Sequence, residues 1–442
     1  MGLKSYVYKK LMSKRVDCAE RERAVLASAT NREAREAIQV DLFNKVWKTA
    51  RENVPFYTGW QQKHALPDEI RSLEELNRWP ILTKADLRNL GPFVRKDVDH
   101  PRKYLVTGGS TGEPVRLPTF GDETVSASQV YGRSRYGVHT GDRTFLLWGH
   151  EHLYGKGFRR KINILKRRLK DWLANWTRVS AYDLGEEAMT RAYAIYKRKK
   201  PAFVLGYSAA VLAFCRINRA HRREVGSVRV VLCSAGPLTP AEKAEIEDFF
   251  GAKVAMEYGS VECGIMAYTR PADGRYDVFW NTHLIQAERD NGEYRCLVTR
   301  LTECYVPMIR YDIGDYLKLN PEEQDNAARS VLEIDDVKGR PSEMIHFACG
   351  ASFFGALIGD CIKQIPSVIQ SQMEVDPVNN MLQVSVVTSG KELSDSDKDL
   401  IKGRILLTVQ DANKLTIRVV QVPRLKMTVG GKIPRIVFKE ER

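Results

Sequence analysis

No stretch of this sequence approaches the roughly 20 consecutive apolar residues that a helix needs to span a bilayer, and the mean hydropathy is −0.36. A membrane-spanning helix is excluded on that ground, and a soluble chain is expected. The N-terminus, Met1 to Val16, is basic but lacks the long apolar segment and small-residue cleavage site of a secretory signal. The eight cysteines form no repeated C-x-x-C pair, in a chain too long to need disulfide staples, which predicts a reducing cytoplasm. No internal repeat or low-complexity segment stands out.

What is present is a chain of 442 residues, 43% of them hydrophobic, enough for a large core and two or three domains. The first hundred residues read as helical, with an N-cap predicted at Asp68 after Pro67 and another start at Thr83-Lys84-Ala85-Asp86-Leu87 after Pro80. Short apolar runs at 145–148, 202–205 and 228–233 read as strands, and 186–199, 209–222 and 240–250 read as helices beside or between them. Such alternation implies a parallel sheet covered by helices. Towards the end, 381–388 and 415–422 alternate as half-buried strands, with a helix over 394–407. The fold class is therefore α/β: a large multi-layer N-terminal domain with a parallel sheet, residues 1–340, then a small α+β C-terminal domain, residues 341–442.

The net charge is +14, from 69 basic and 55 acidic residues, which suits nucleotides, acidic lipids or nucleic acid as partners. The excess is concentrated in 156–170, where eight Lys or Arg occur without an acidic residue. In the same region Phe158, Ile162, Leu165, Leu169, Trp172 or Leu173, and Trp176 recur at helical spacing. A basic amphipathic helix over 156–176 is predicted. Its apolar stripe either packs on the domain or dips into a lipid interface, giving peripheral contact with the inner face of the membrane. No aromatic or strand motif supports nucleic acid as the partner.

Thr107-Gly108-Gly109-Ser110-Thr111-Gly112-Glu113-Pro114 follows the apolar Tyr104-Leu105-Val106. Glycines let a loop turn its N–H groups inward and hydroxyls add donors, which is what cradling a phosphate requires. No lysine follows the last glycine, so this is not the G-x-x-x-x-G-K-S/T loop. Taken alone, the segment reads as a phosphate loop, with a polar glycine-rich turn as the alternative.

Further motifs follow in order: Ser234-Ala235-Gly236-Pro237, Glu257-Tyr258-Gly259-Ser260-Val261-Glu262, Gly292-Glu293, Pro307-Met308-Ile309-Arg310-Tyr311-Asp312-Ile313-Gly314-Asp315, Lys338-Gly339-Arg340 and Val429-Gly430-Gly431-Lys432-Ile433-Pro434-Arg435. In this order they resemble the motif series of the acyl-adenylate-forming superfamily, whose glycine-rich loop is usually T-S-G-S-T-G-x-P. The nearest branch is that of the phenylacetate-CoA ligase-like proteins, including the CapK-type members linked to polysaccharide synthesis. Ser72-Leu73-Glu74-Glu75-Leu76, Pro80 and Thr83 to Leu87 extend the likeness into the first hundred residues.

The resemblance implies an ATP-dependent ligase that activates a carboxylic acid as acyl-AMP and releases pyrophosphate. ATP and Mg2+ are the implied cofactors, with CoA a further possibility. A carboxylate attacking an α-phosphate meets another anion, so such a site needs cations and donors more than a base. By the resemblance, Lys432 supplies the mobile cation, and Glu262 holds Mg2+ through a hard oxygen. Thr107, Ser110, Thr111 and Gly112 line the triphosphate. Ala235, Gly236, Pro237, Glu257, Tyr258, Gly259 and Ser260 form the adenine side, where Tyr258 stacks. Asp315 accepts the ribose hydroxyls and Arg340 helps anchor the nucleotide. His150 and Tyr207 border the acid pocket. The C-terminal domain is then a mobile lid.

The chain also departs from the family. Gly236 replaces the usual Glu of the adenine turn, Ser342 stands where many relatives carry an acidic hinge residue, and Cys349-Gly350 stands for a downstream Arg-Gly. The last two weaken the case for coenzyme A as acceptor and leave the amine of a sugar in polysaccharide biosynthesis, or CoA in a phenylacetate-CoA ligase-type reaction. Other classes to weigh are a non-catalytic acyl- or nucleotide-binding module and a membrane-associated assembly protein. Cys263, Cys296, Cys304 and His283 share a region, but their irregular spacing without a close chelating pair reads as small buried hydrophobes rather than a zinc site.

Overall fold

The computed structural model describes residues 10, 13–88, 91–98, 103–106, 116–119, 123–148, 157–181, 186–234, 236, 238, 240–290, 292–339, 344–354, 368–388, 392–409, 411–426 and 436–439. The chain is mixed α/β and divides into two compact units: Met1–Gly109 with Pro114–Gly141 and Ala255–Gly339, and Ser110–Glu113 with Asp142–Val254 and Arg340–Arg442.

The first unit opens with helices Ser13–Ser28, Arg32–Asn53 and Pro55–His64. Asn31 caps the second by accepting from Ala34 N at 2.9 Å, and Val54, extended, hands over to Pro55 at the first position of the third. Phe43, Trp47 and Ala50, spaced four and three apart, place one helix face in a core with Tyr57, Leu73, Leu76 and Trp79. The rings meet edge-on, Phe43 and Trp47 lying 5.4 and 5.2 Å from Trp79. Two buried donors are satisfied from this cluster, Trp47 Nε1 by Pro67 O and Tyr57 Oη by Pro307 O, each at 2.8 Å.

No helix starts at Asp68. That side chain accepts from Gln61 Nε2 at 2.7 Å, and the next turn, a 3-10 helix over Leu73–Arg78, begins instead after Ser72. Ser72 and Glu75 form a capping box in which Glu75 Oε1 accepts from Ser72 N at 3.2 Å. At the second predicted start, Thr83 and Asp86 bond each other and only a short 3-10 turn, Asp86–Arg88, follows. Among the described residues the unit adds the antiparallel pair Lys103–Val106 with Arg116–Thr119 and two larger antiparallel groups of strands. One orders His283–Asp290, Glu293–Arg300, Tyr311–Lys318 and Asp336–Gly339. The other pairs Lys253–Ser260, which enters this unit at Ala255, with Gly264–Thr269, then Tyr276–Val278 and Glu333–Ile334.

The second unit carries the predicted parallel sheet, in the order Trp176–Val179, Thr144–Leu147, Phe203–Tyr207, Val230–Ser234. Three of the strands are almost continuously buried, as strands covered by helices must be. The helices are Glu186–Lys199, Ser208–Ile217 and Pro240–Phe250; Tyr196 and Phe214 pack with Phe145, and Phe250 stacks on Phe214. The helix predicted to reach Arg222 stops at Ile217, and a 3-10 turn over Arg219–His221 follows. The basic helix runs over Gly157–Leu173 rather than to Trp176: Asn175 takes a left-handed φ of 61°, and Trp176 opens a strand.

The C-terminal segment is α+β. Strands Thr416–Gln421, Met381–Thr388, Val368–Asp376 and Ile436–Phe438 form one sheet in that order, and helix Asp395–Thr408 is capped by Ser394, which accepts from Asp397 N at 3.1 Å. Among the described residues its buried core runs from Ile345 to Val419, with Ile436 packed against it. Within the second unit, Arg216, paired with Glu245, also donates to Leu407 O at 2.8 Å, so this segment packs on helix Ser208–Ile217.

In the first unit, Gly132 in helix Glu123–Ser134 lets the backbone approach Tyr268. A Cβ there would stand 2.4 Å from a ring carbon of a fully buried tyrosine. Alanine adds about 1 kcal/mol of helix propensity, but displacing a packed ring costs about 1–3 kcal/mol. Gly132→Ala is therefore predicted to lower urea-unfolding stability by up to about 2 kcal/mol, whereas a gain would show that the ring has room to move.

Candidate functional site

Within the first unit, the strand Lys253–Ser260 carries Glu257, Tyr258, Gly259 and Ser260. Strand alternation sends Glu257 and Tyr258 to opposite faces. The buried Tyr258 donates from Oη to Asp315 Oδ2 at 3.1 Å and lies 3.7 Å from Cys296 Sγ. Burial, and then the Asp315 carboxylate, push the Tyr258 hydroxyl well above its ordinary range, so it remains a donor at neutral pH.

Asp315 reaches this hydroxyl through a bulge. Arg295 pairs with Tyr316 and Leu297 with Asp312, so Ile313 to Asp315 stand opposite Cys296 alone. Gly314 supplies the left-handed φ of 83° and donates its N–H to Asp312 Oδ1 at 2.8 Å. The Gly-Asp pair of the motif is thus the extra length of the strand, and it carries a carboxylate.

Gly259 has a packing reason to be glycine: a Cβ would lie 2.4 Å from Gly264 O on the paired strand. Ser260 Oγ then accepts from Cys263 N at 3.0 Å and tightens the turn to Gly264. This turn exposes Val261 and buries Glu262, whose Oε1 accepts from Tyr311 Oη at 3.4 Å. Glu257 belongs to a different network. Its Oε2 accepts from Tyr268 Oη, and from Arg133 and Gln129 at 3.4 Å each, tying the strand to helix Glu123–Ser134. It is not brought to Tyr258 and Asp315.

In the second unit, Tyr207 ends a parallel strand and its ring lies 4.3 Å from that of Trp148. The next residue, Ser208, donates to Gly236 O at 2.7 Å and lies 3.3 Å from Ser234 O, which holds the turn after strand Val230–Ser234. Among the described residues, a Cβ on Gly236 would approach only Ser208 Cβ, at 4.0 Å, so these residues do not crowd the position. Thr107, Ser110, Thr111, Gly112, His150, Ala235, Pro237, Arg340 and Lys432 lie outside the described residues.

His283 joins its Nε2 to Cys263 O and its Nδ1 to Thr282 Oγ1, both at 2.9 Å. Burial, with the Glu262 carboxylate adding, pushes the Cys263 thiol up to about 12. Among the described residues no group of three or more His, Cys, Asp or Glu is placed to hold a metal. Sequence reasoning missed Tyr311, Cys296, Ser208, Tyr268 and Arg133. Tyr311 stood in the Arg-Tyr motif without a role, and the others carry no local signal because their partners are distant in the chain.

No protein-family model matches the chain. It is similar to Protein CapK of Staphylococcus aureus, 22% identical over 408 residues, spanning 89% of this chain and 87% of that one. It is similar also to the phenylacetate-coenzyme A ligase of Aromatoleum evansii, 24% identical over 371 residues, covering 79% of this chain and 80% of the relative. Among solved structures, 2-hydroxyisobutyryl-CoA ligase in the postadenylation state, in complex with R3-HIB-AMP, matches with a TM-score of 0.56 at 15% identity, covering 92% of this chain and 90% of that one. At that identity the likeness is one of fold.

The Tyr258 hydroxyl bonds a charged acceptor from a buried position, an arrangement whose loss costs about 1.5–3 kcal/mol. Tyr258→Phe is predicted to lower denaturant-unfolding stability by that amount, and an unchanged midpoint at constant m-value would contradict the bond.

Proposed function

We infer that this chain, a phenylacetate-CoA ligase-like protein of the acyl-adenylate-forming superfamily, activates a carboxylic acid as its acyl-AMP and passes the acyl group to a nucleophile. It is an enzyme of the adenylate-forming carboxylic acid ligase class. The observation that carries the reading is the meeting of Tyr258 and Asp315 at 3.1 Å across 57 residues of sequence. Each comes from a separate motif, and the two motifs serve the adenine and ribose sides of one nucleotide.

In the first step a carboxylate oxygen of the acid bonds to the α-phosphorus of ATP and pyrophosphate leaves with the electrons of the broken P–O bond. In the second the acceptor bonds to the acyl carbon, and AMP leaves carrying the acid's former oxygen. Both reactants of the first step are anions, so stabilisation must come from positive charge and N–H donors. Lys432 provides the charge at the acid and α-phosphate, Arg340 anchors the nucleotide, and the backbone of Thr107, Ser110, Thr111 and Gly112 cradles the triphosphate. Asp315 accepts from the ribose hydroxyls, its orientation held by Tyr258, while the Tyr258 ring borders adenine with Gly259 and Ser260; Ala235, Gly236 and Pro237 serve adenine by their motif. The buried carboxylate of Glu262, steadied by Tyr311, has the hard oxygens that suit Mg2+, an ion whose charge would offset that of the phosphates. Segment 341–442 acts as the lid that delivers Lys432. His150 and Tyr207 border the acid.

For the acceptor we favour an amine, such as that of a sugar in polysaccharide synthesis, because Ser342 and Cys349-Gly350 depart from the family's usual hinge pattern. A second reading takes coenzyme A, favoured by the likeness to the phenylacetate-coenzyme A ligase.

Hydroxylamine traps an acyl-AMP as the hydroxamate. With ATP and a panel of aromatic, aliphatic and amino acids, the protein is predicted to form hydroxamate from one acid class. Lys432→Ala is predicted to lower that rate about 100- to 1,000-fold, the scale of one lost electrostatic contact, while acyl transfer from supplied acyl-AMP is retained. Equal loss in both steps would remove Lys432 from its role, and formation of a thioester with CoA would select the second reading.

A further inference from the structure

The helix Gly157–Leu173 faces the reverse of the usual way. A surface helix ordinarily turns its apolar stripe to the core. Here Ile162, Leu165, Leu169 and Trp172 are 38, 69, 57 and 51% exposed, whereas Asp171 is buried and Ile164 half-buried. At about 100° per residue the four exposed side chains fall within an arc of about 80°, with Asp171 on the opposite side. The helix is held by that polar side. Asp171 accepts from Arg178 Nε and a terminal guanidinium nitrogen at 2.8 and 3.0 Å, and Arg167 lies 3.4 Å away. The outward stripe is flanked by exposed Lys161 and Arg168 along one edge and by Lys166 and Lys170 along the other.

We propose that this helix docks the protein on an anionic lipid surface, the apolar stripe entering the boundary of headgroups and acyl chains while the flanking cations meet the headgroup phosphates. The helix holds seven Lys or Arg and one acidic residue, and that residue is already paired inward. A second copy of the chain would bring the same cations against one another. Nucleic acid would satisfy the cations but leave Leu165 and Leu169 in water. An interface that is apolar at depth and anionic at its rim satisfies both. Among the described residues no helix is long and apolar enough to cross a membrane, so the contact is one of lying on the surface. The proposal does not rest on the ligase reading.

The test is co-sedimentation of the full chain with vesicles of phosphatidylcholine alone or mixed with phosphatidylglycerol. Binding is expected to the anionic vesicles, to weaken as salt is raised, and to be slight on the neutral ones. Leu165→Gln with Leu169→Gln, which removes apolar surface without changing charge, is expected to lower partitioning at least about tenfold. Lys161→Gln with Lys166→Gln is expected to lower it only on the anionic vesicles. All four positions are exposed, and unchanged circular dichroism and melting temperature verify the fold. Absence of binding to anionic vesicles, or binding indifferent to the leucine pair, overturns the proposal. So does a leucine-pair variant that turns a dimer into a monomer in light scattering while vesicle binding is unchanged, because a second copy is then the occupant.

Discussion

A tyrosine hydroxyl taken out of water needs an acceptor, and in the first unit Tyr258 finds a carboxylate. Much of the local architecture follows from meeting that need. The strand carrying Asp315 must lengthen by a bulge to bring the carboxylate to the hydroxyl, and Gly314 provides the left-handed residue that the bulge requires. The strand carrying Tyr258 must then pass close to its neighbour, which Gly259 permits. The tight turn after Ser260 buries Glu262 against Tyr311 on the bulged strand. Two motifs far apart in sequence become one polar arrangement with a carboxylate at each end.

The fold was legible wherever a segment's period matched its surroundings. The parallel strands through Phe145, Val204 and Val231, and the C-terminal strands through Val384 and Val419, are where apolar or alternating runs placed them. Errors arose where several residues competed for one role. Asp68 has the right side chain for a cap, but Ser72 has Glu75 three positions on and takes the helix start. The basic helix was legible as a helix, yet its orientation was not, because a periodic pattern identifies a stripe without identifying what the stripe faces. One buried ion pair, Asp171 with Arg178, settles that question, and it joins the helix to a strand.

For the site, motif spelling pointed to Tyr258, Glu262 and Asp315, but not to the bonds among these residues and their neighbours. Cys296 beneath the hydroxyl, Tyr311 beside Glu262 and Ser208 under the Gly236 turn come from other strands and helices, so only tertiary structure reveals them. Glu257 shows the converse. It stands inside a motif, yet its carboxylate serves packing against Tyr268 and Arg133. Motif membership identifies a segment, and the direction of each side chain then divides chemistry from support.

Adenylate formation requires that the acid's own oxygen attack the α-phosphate of ATP. Mass spectrometry of the nucleotide product, after turnover with a carboxylic acid labelled with oxygen-18, measures this directly. AMP carrying one labelled oxygen is expected, released together with unlabelled pyrophosphate. ADP with label in inorganic phosphate would place the attack on the terminal phosphate and contradict adenylate formation.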